Sequence, residues 1–199
     1  QKINKPITNI VFMGMGEPFL NYKNVIKAAK LLNDSNGINM GSKRITISTA
    51  GVIRKIEEFT KSKEKFKLAI SLNGTTDEQR TSIMPINIKN SLDELLNVAR
   101  KYTETVNRWL TFEYVLLKEI NDSVEDAKRL LSMLAGMKKC KLNIIPYNET
   151  DGEFRRPDKD QIENFVIALR QAKFPITVRW SKGTDIDAGC GQLATRNQV

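Results

Sequence analysis

The chain has no histidine and two cysteines among its 199 residues, and both shortages limit the chemistry that it can carry. Without histidine, Ser-His-Asp catalysis, histidine-activated cysteine nucleophiles and histidine zinc sites are excluded. Two cysteines cannot form a disulfide framework or a four-thiolate metal site, so reduced thiols in a cytoplasmic protein are expected. Any reaction must then use carboxylates, a thiol, a lysine or a bound cofactor.

Long apolar runs are also lacking. No run approaches the roughly twenty residues that span a bilayer, and the start does not resemble a signal peptide, so no membrane partner is expected. The 11 glycines and 6 prolines are ordinary for a folded protein. The first residue is Gln1 rather than methionine, which favours a fragment of a longer protein.

Positive charge is in excess. There are 32 lysines and arginines against 23 acidic residues, a formal net charge of +9. Such a balance favours a polyanionic partner, of which nucleic acid is the commonest, although solubility alone is an alternative reason. The segment KSKEKFK (61–67) mixes both signs and is typical of a solvated surface rather than a basic tail.

Short apolar runs alternate with segments whose apolar residues recur every three or four positions, which predicts an α/β fold with a parallel sheet. The runs predicted as strands are NIVFMG (9–14), RITIST (44–49), KLAISL (67–72), LTFEYVLL (110–117), KLNIIP (141–146) and ITVRW (176–180). The segments predicted as helices are 22–34, 52–61, 76–84, 91–104, 123–137 and 158–172. These units form either an open doubly wound sheet or most of a barrel.

Local signals refine this prediction. Ser91 precedes Glu94 by three residues and Ser123 precedes Asp126 by three, which predicts a capping box at each helix start. A dinucleotide site is disfavoured, because the segment GMGEPF places Glu17 where a pyrophosphate would lie.

Polar residues follow several predicted strands, in GMGEP, STAGV, SLNGTTDEQR and IPYN. Ligands of parallel α/β folds bind at the carboxyl ends of the strands, so these clusters predict one shared pocket. Each also has a simpler interpretation: Glu17 in a tight turn, Ser48 as a helix cap and Asn148 beside a turn proline. Asp77, Glu78 and Arg80 are interpreted as charges at a helix start rather than as catalytic groups.

A set of segments spread over residues 8–193 resembles the RlmN/Cfr family of radical S-adenosylmethionine (SAM) methyltransferases. The segments are GMGEPFLN, RITISTAGV, LAISLN, IMPIN, EYVLLKEINDS, KLNIIPYN and DIDAGCGQL. The resemblance implies that residues 1–199 form a partial radical SAM (β/α) barrel with parallel strands, an extra C-terminal strand and a tail. The first strand and the cluster loop of the family would be absent from this chain.

The resemblance also implies site residues. Gly16 and Glu17 match the motif that holds the methionine amino group. The positions that match contacts to the SAM carboxylate and sugar are Ser48, Ser71, Leu72, Asn73 and Asn148. Cys190 matches the cysteine that one SAM methylates. The family mechanism then uses a radical made from a second SAM to remove a hydrogen atom from that methyl group. The resulting methylene radical adds to an adenine ring.

The implied activity is methylation of carbon 2 of an adenine in 23S ribosomal RNA, with transfer RNA as a second substrate and an external electron donor. Methylation at carbon 8 by the same scaffold is an alternative, and a non-catalytic RNA- or SAM-binding module is another. The chain departs from the family at two places. Many members have histidine where Asn73 stands, and the cluster motif C-x-x-x-C-x-x-C is missing, as is the second cysteine that resolves the RNA cross-link.

The [4Fe–4S] cluster that the family uses needs three thiolates, so its ligands are expected upstream of this chain and no metal ligand is predicted within it. Cys140 does not match the resolving cysteine and is interpreted as a small buried residue.

Overall fold

The computed structural model describes residues 6–13, 16–150 and 152–180, and these form a parallel sheet covered by helices. The strands are β1 (Ile10–Phe12), β2 (Ile45–Thr49), β3 (Lys67–Ser71), β4 (Leu110–Leu116), β5 (Cys140–Pro146) and β6 (Ile176–Val178). They pair in chain order, each parallel to the next. A doubly wound sheet reverses its strand order at a switch point, whereas this order never reverses. The partial barrel is therefore confirmed over the open sheet.

Helices connect the strands. They are α1 (Tyr22–Asn33), α2 (Ile53–Lys61), α3 (Asp77–Ile83), α4 (Leu92–Val106), α5 (Val124–Leu134) and α6 (Lys159–Ala168). Right-handed crossovers between strands in sequential order place all such helices on one face of the sheet. The other face is therefore the concave interior of the partial barrel. None of the described helices is both long and apolar enough to cross a membrane.

The hydrophobic core lies between the helices and the convex face of the sheet. Ile47, Ile70 and Phe112 are fully buried there. Successive residues of a strand point to opposite faces of the sheet. Their neighbours Ser48, Ser71 and Glu113 consequently face the concave side. Fully buried helix residues that complete the core include Ala29, Ile56, Phe59, Leu95, Ala99, Leu130 and Phe165.

Both predicted capping boxes are confirmed. The Ser91 side chain accepts a hydrogen bond from the backbone of Glu94, and the Glu94 carboxylate accepts one from the backbone of Ser91. Ser123 and Asp126 form the same reciprocal pair at the start of α5. These caps satisfy N–H groups that have no partner within the helix, so each helix begins where its local sequence predicts.

The predicted ends of some elements are wrong by a few residues. The strands predicted over 9–14 and 176–180 are limited to β1 and β6, the edge strands of the described sheet. An edge strand has one neighbour to pair with, so less of it is held in the ladder. The helix predicted over 158–172 gives way after Ala168 to a 3₁₀ turn, Leu169–Gln171, which is a common way for a helix to end.

Candidate functional site

The carboxyl ends of β2 and β3 and the segment that follows β1 line a small cavity at the edge of the sheet. The cavity has a volume of about 120 Å³ and is lined by Met13, Gly16, Glu17, Pro18, Ser48, Thr49, Ala50 and Ser71. A second cavity of about 380 Å³ runs along β1 and shares Met13, Gly16, Glu17 and Pro18 with the first. Four of the predicted site residues line the smaller cavity: Gly16, Glu17, Ser48 and Ser71.

The Glu17 carboxylate in this lining is fixed by two backbone N–H groups. Its Oε1 accepts a hydrogen bond from the backbone N–H of Phe19 at 2.8 Å, and its Oε2 accepts one from Ala50 at 2.5 Å. The first bond caps the 3₁₀ turn Pro18–Asn21, while the second ties the loop after β1 to the end of β2. A carboxylate has about four acceptor sites. Glu17 therefore keeps capacity to accept hydrogen bonds from a ligand ammonium group.

Gly16 allows this arrangement. Its φ of +125° lies in a region that residues with a side chain rarely adopt. No described atom lies within 4 Å of the place that a Cβ would occupy, so the backbone beside Glu17 is open to a ligand. Gly16 and Glu17 both line the cavity, and Glu17 directly precedes the 3₁₀ turn Pro18–Asn21.

Ser48 and Ser71 differ in their surroundings. The Ser48 hydroxyl is buried and donates a hydrogen bond of 3.1 Å to Oε2 of Glu113. Glu113 begins the segment EYVLLKEINDS, but the sequence analysis gives it no role. Ser71 is half-buried at the end of β3, where it pairs in register with Glu113. A carboxylate within the otherwise apolar run LTFEYVLL was the available sequence signal for Glu113.

Asn73 and Leu72 lie beyond the described lining of the 120 Å³ cavity. Asn73 has a φ of +53°, and its Oδ1 accepts a hydrogen bond of 2.9 Å from the backbone N–H of Val115. Its Nδ2 contacts the sulfur of Met84 at 3.3 Å. Leu72 is fully buried and donates its N–H to the carbonyl of Glu113 at 2.8 Å. Both residues link β3 to β4, and their contact with SAM stays a prediction.

Arg80 is a structural residue that sequence reasoning missed. It was predicted as a charge at a helix start, but it lies in the last turn of α3 and is 0% exposed. Its guanidinium donates to the carbonyl of Leu72 at 3.0 Å, to the carbonyl of Ala50 at 2.5 Å and to Oδ1 of Asn87 at 2.7 Å. Burial lowers the pKa of Arg80 to about 10, with Asp77 opposing the shift. Arg80 thus fixes the ends of β2 and β3 relative to each other.

The remaining predicted residues are placed as follows. Asn148 is 4% exposed and follows β5 at the same carboxyl edge, outside the described lining of the small cavity. Cys140 is 1% exposed at the start of β5, which confirms it as a buried residue, and burial raises the pKa of its thiol. Cys190 lies outside the described residues. In the part of the chain that the structure describes, no cluster of three acidic, cysteine or histidine side chains could hold a metal ion.

A family profile and several relatives match this chain. The profile of the Radical SAM superfamily matches residues 1–131. A probable dual-specificity RNA methyltransferase RlmN of Pseudothermotoga lettingae is 45% identical over 191 residues, covering 96% of this chain and 55% of the relative. The dual-specificity RNA methyltransferase RlmN of Geobacter sulfurreducens is 46% identical, over 94% of this chain and 52% of the relative. The chain spans about half the length of the curated relatives it matches.

Two solved structures are also similar to this chain. A radical SAM methyltransferase from Sphaerobacter thermophilus superposes with a TM-score of 0.90 at 41% identity, covering 94% of this chain and 55% of that chain. A domain of a pyruvate-formate lyase-activating enzyme from Bacteroides vulgatus superposes with a TM-score of 0.66 at 15% identity, covering 87% of this chain and 99% of that chain. The second likeness shows the fold alone.

Proposed function

Since this chain belongs to the radical SAM superfamily, we propose that it is part of an RNA methyltransferase that modifies carbon 2 of an adenine in 23S ribosomal RNA. Transfer RNA is the proposed second substrate, because two relatives described above are named dual-specificity RNA methyltransferases. The observation that carries the proposal is the Glu17 carboxylate, fixed by two backbone N–H groups beside an open glycine at the edge of the sheet. The net charge of +9 supports an RNA partner.

The cofactors of the superfamily are SAM and a [4Fe–4S] cluster. The residues at the cavity fit the amino-acid end of SAM, because a fixed carboxylate and two serine hydroxyls supply the polar contacts that such a group needs. The cluster does not fit the residues of this chain, since it requires three thiolates and the sequence has two cysteines. Residues beyond these 199 would have to hold the cluster, and a donor protein would supply its electrons.

The proposed roles follow from this placement. SAM supplies, when bound, the methyl group that is transferred. Glu17 binds the ammonium group of the methionine moiety, and Ser48 and Ser71 line the same cavity. The Cys190 sulfur carries the methyl group between SAM and the adenine. A carrier thiol requires no general base of the histidine type, which agrees with a sequence that has no histidine.

The test is methyl transfer by a Cys190→Ala variant, with Cys140→Ala as the matched control. Cys140 is buried on a strand, so its variant is expected to retain methyl transfer, whereas Cys190→Ala is expected to lose it. The assay uses the whole protein with its cluster and a 23S RNA fragment, and the digested nucleosides are compared with 2-methyl- and 8-methyladenosine standards. Wild-type Cys190 peptides are expected to carry a methyl adduct in the mass spectrum.

Three outcomes contradict the proposal. Methyl transfer retained by Cys190→Ala would remove the carrier role, and an 8-methyl product would assign the other carbon. Salt-sensitive RNA binding without any methylated product would favour the non-catalytic module.

A cytoplasmic location is part of the proposal, because ribosomal and transfer RNA are its substrates.

A further inference from the structure

Glu113 is a buried carboxylate for which the sequence motifs provide no role. It lies on β4, is 5% exposed and accepts a hydrogen bond of 3.1 Å from the hydroxyl of Ser48, which is itself 4% exposed. Among the described residues, Glu113 forms no ion pair. Burying an acid costs free energy unless its charge is satisfied. A carboxylate kept here with one hydrogen bond to its side chain therefore calls for an explanation.

The strand register explains how this bond is made. Ser48 pairs with Ala69 on β3, and Glu113 pairs with Ser71 on the same strand. Register partners on neighbouring parallel strands point to the same face, so all four side chains face the concave interior. The hydrogen bond thus crosses β3 above Ala69, whose methyl group leaves room for it. A larger residue at position 69 would lie between the two groups.

The bond determines what Ser48 offers to a ligand. A serine hydroxyl has one proton and two acceptor lone pairs. Because the proton is donated to Glu113, the lone pairs remain for the cavity that Ser48 shares with Glu17. Glu17 is a carboxylate and also an acceptor. This side of the cavity therefore presents acceptors on both side chains, which suits an ammonium group and repels a carboxylate.

We propose that Glu113 is a positioning residue that holds the Ser48 hydroxyl proton away from the cavity. Ser48 and Glu17 can then both accept hydrogen bonds from the ammonium group of SAM. The inference rests on the proposed function, which supplies the ligand. It assigns Ser48 to the ammonium group, whereas family resemblance assigns it to the carboxylate and sugar. The two assignments require opposite directions of the Ser48 hydroxyl.

The charges around Glu113 give the inference a pH dependence. Burial raises the pKa of Glu113, while the Ser48 hydrogen bond, Arg179 beyond β6 and Lys141 on β5 oppose the rise. Acidification therefore protonates Glu113 at a higher pH than it protonates an ordinary glutamate. A protonated Glu113 can donate to Ser48 and release the serine proton toward the cavity. The SAM affinities of wild type and of a Glu113→Gln variant should consequently converge as the pH falls through the Glu113 pKa.

The experiment measures the affinity of two ligands by isothermal titration calorimetry in the whole, cluster-loaded protein. One ligand is SAM, and the other is 5′-methylthioadenosine, which lacks the amino-acid end. Glu113→Gln keeps the side-chain size but makes the acceptor neutral and adds a competing donor. It is expected to weaken SAM binding about tenfold near neutral pH, the equivalent of one charge-assisted hydrogen bond. Binding of 5′-methylthioadenosine should change less than about twofold, because this ligand has no ammonium group that could contact Ser48.

A double-mutant cycle with Ser48→Ala isolates the route of the effect. If Glu113 acts through Ser48, then Glu113→Gln has no further effect on SAM binding once Ser48 is alanine. Additive losses, or a Glu113→Gln variant that binds SAM as well as or better than wild type, would overturn the inference. Equal losses for both ligands would also overturn it, because they would indicate general damage to the site. Wild-type protein that binds no SAM would instead contradict the proposed function itself.

Discussion

Two buried carboxylates, Asp126 on α5 and Glu113 on β4, are similarly hidden from water but are satisfied to different extents. Asp126 is 2% exposed and Glu113 is 5% exposed. The side chains that donate hydrogen bonds to Asp126 are those of Thr75, Gln79, Ser123 and Arg129. In the described ranges, the side-chain donor to Glu113 is Ser48. The difference lies in the number of partners and not in burial.

The two pKa values shift in opposite directions as a result. Burial alone would raise the pKa of Asp126, but its four hydrogen-bond donors lower it below its usual range. Burial raises the pKa of Glu113, and the opposing groups do not cancel that rise. A fully satisfied buried charge stabilises the fold, whereas an incompletely satisfied one costs stability. The two acids therefore contribute to folding stability with opposite signs, although both are buried.

Arg80 extends the comparison to a buried cation, and its loss should have the largest effect. Arg80→Ala leaves the carbonyls of Ala50 and Leu72 without their guanidinium donor, so we expect a loss of about 3–5 kcal/mol in the free energy of unfolding. Urea denaturation followed by far-ultraviolet circular dichroism measures it. Arg54→Ala, an exposed arginine on α2, is the control and should change stability by less than about 0.5 kcal/mol. Equal small losses would show that the Arg80 hydrogen bonds are not stabilising.

Asp126→Asn tests the satisfied acid and should have the next largest effect. The amide cannot accept from all four donors, so we expect a loss of about 2 kcal/mol at neutral pH. Because the pKa of Asp126 is lowered in the folded state, its contribution is present above about pH 4 and is lost as the pH falls through the folded pKa. The wild-type and variant stabilities should therefore converge in acid. Asp93→Asn, an exposed acid on α4, is the control, and parallel pH curves for Asp126→Asn would contradict the prediction.

Local signals predicted more of this molecule than long-range ones could. The capping boxes at Ser91 and Ser123 were predictable because each is decided within four residues. The Ser48–Glu113 bond joins residues 65 positions apart, and it depends on a strand register that one sequence does not fix. The burial of Arg80 likewise depends on carbonyls from two other strand ends, so a charged residue in a polar segment gave no warning of it. Residues of the cavity wall such as Glu17 were predictable because strand order brings their loops together.

Glu113→Gln is expected to have the smallest effect on stability and the opposite sign. The raised pKa means that the ionised carboxylate destabilises the folded state at neutral pH, so the neutral amide should stabilise the protein by about 1 kcal/mol. Wild-type stability should rise as the pH falls through the folded pKa toward the ordinary value of 4.5, where the advantage of the variant disappears. Urea denaturation of both proteins across this range measures the difference. A variant that is less stable than wild type at neutral pH would place Glu113 with Asp126, as an acid that holds the fold together, and would remove the stability cost that separates the two.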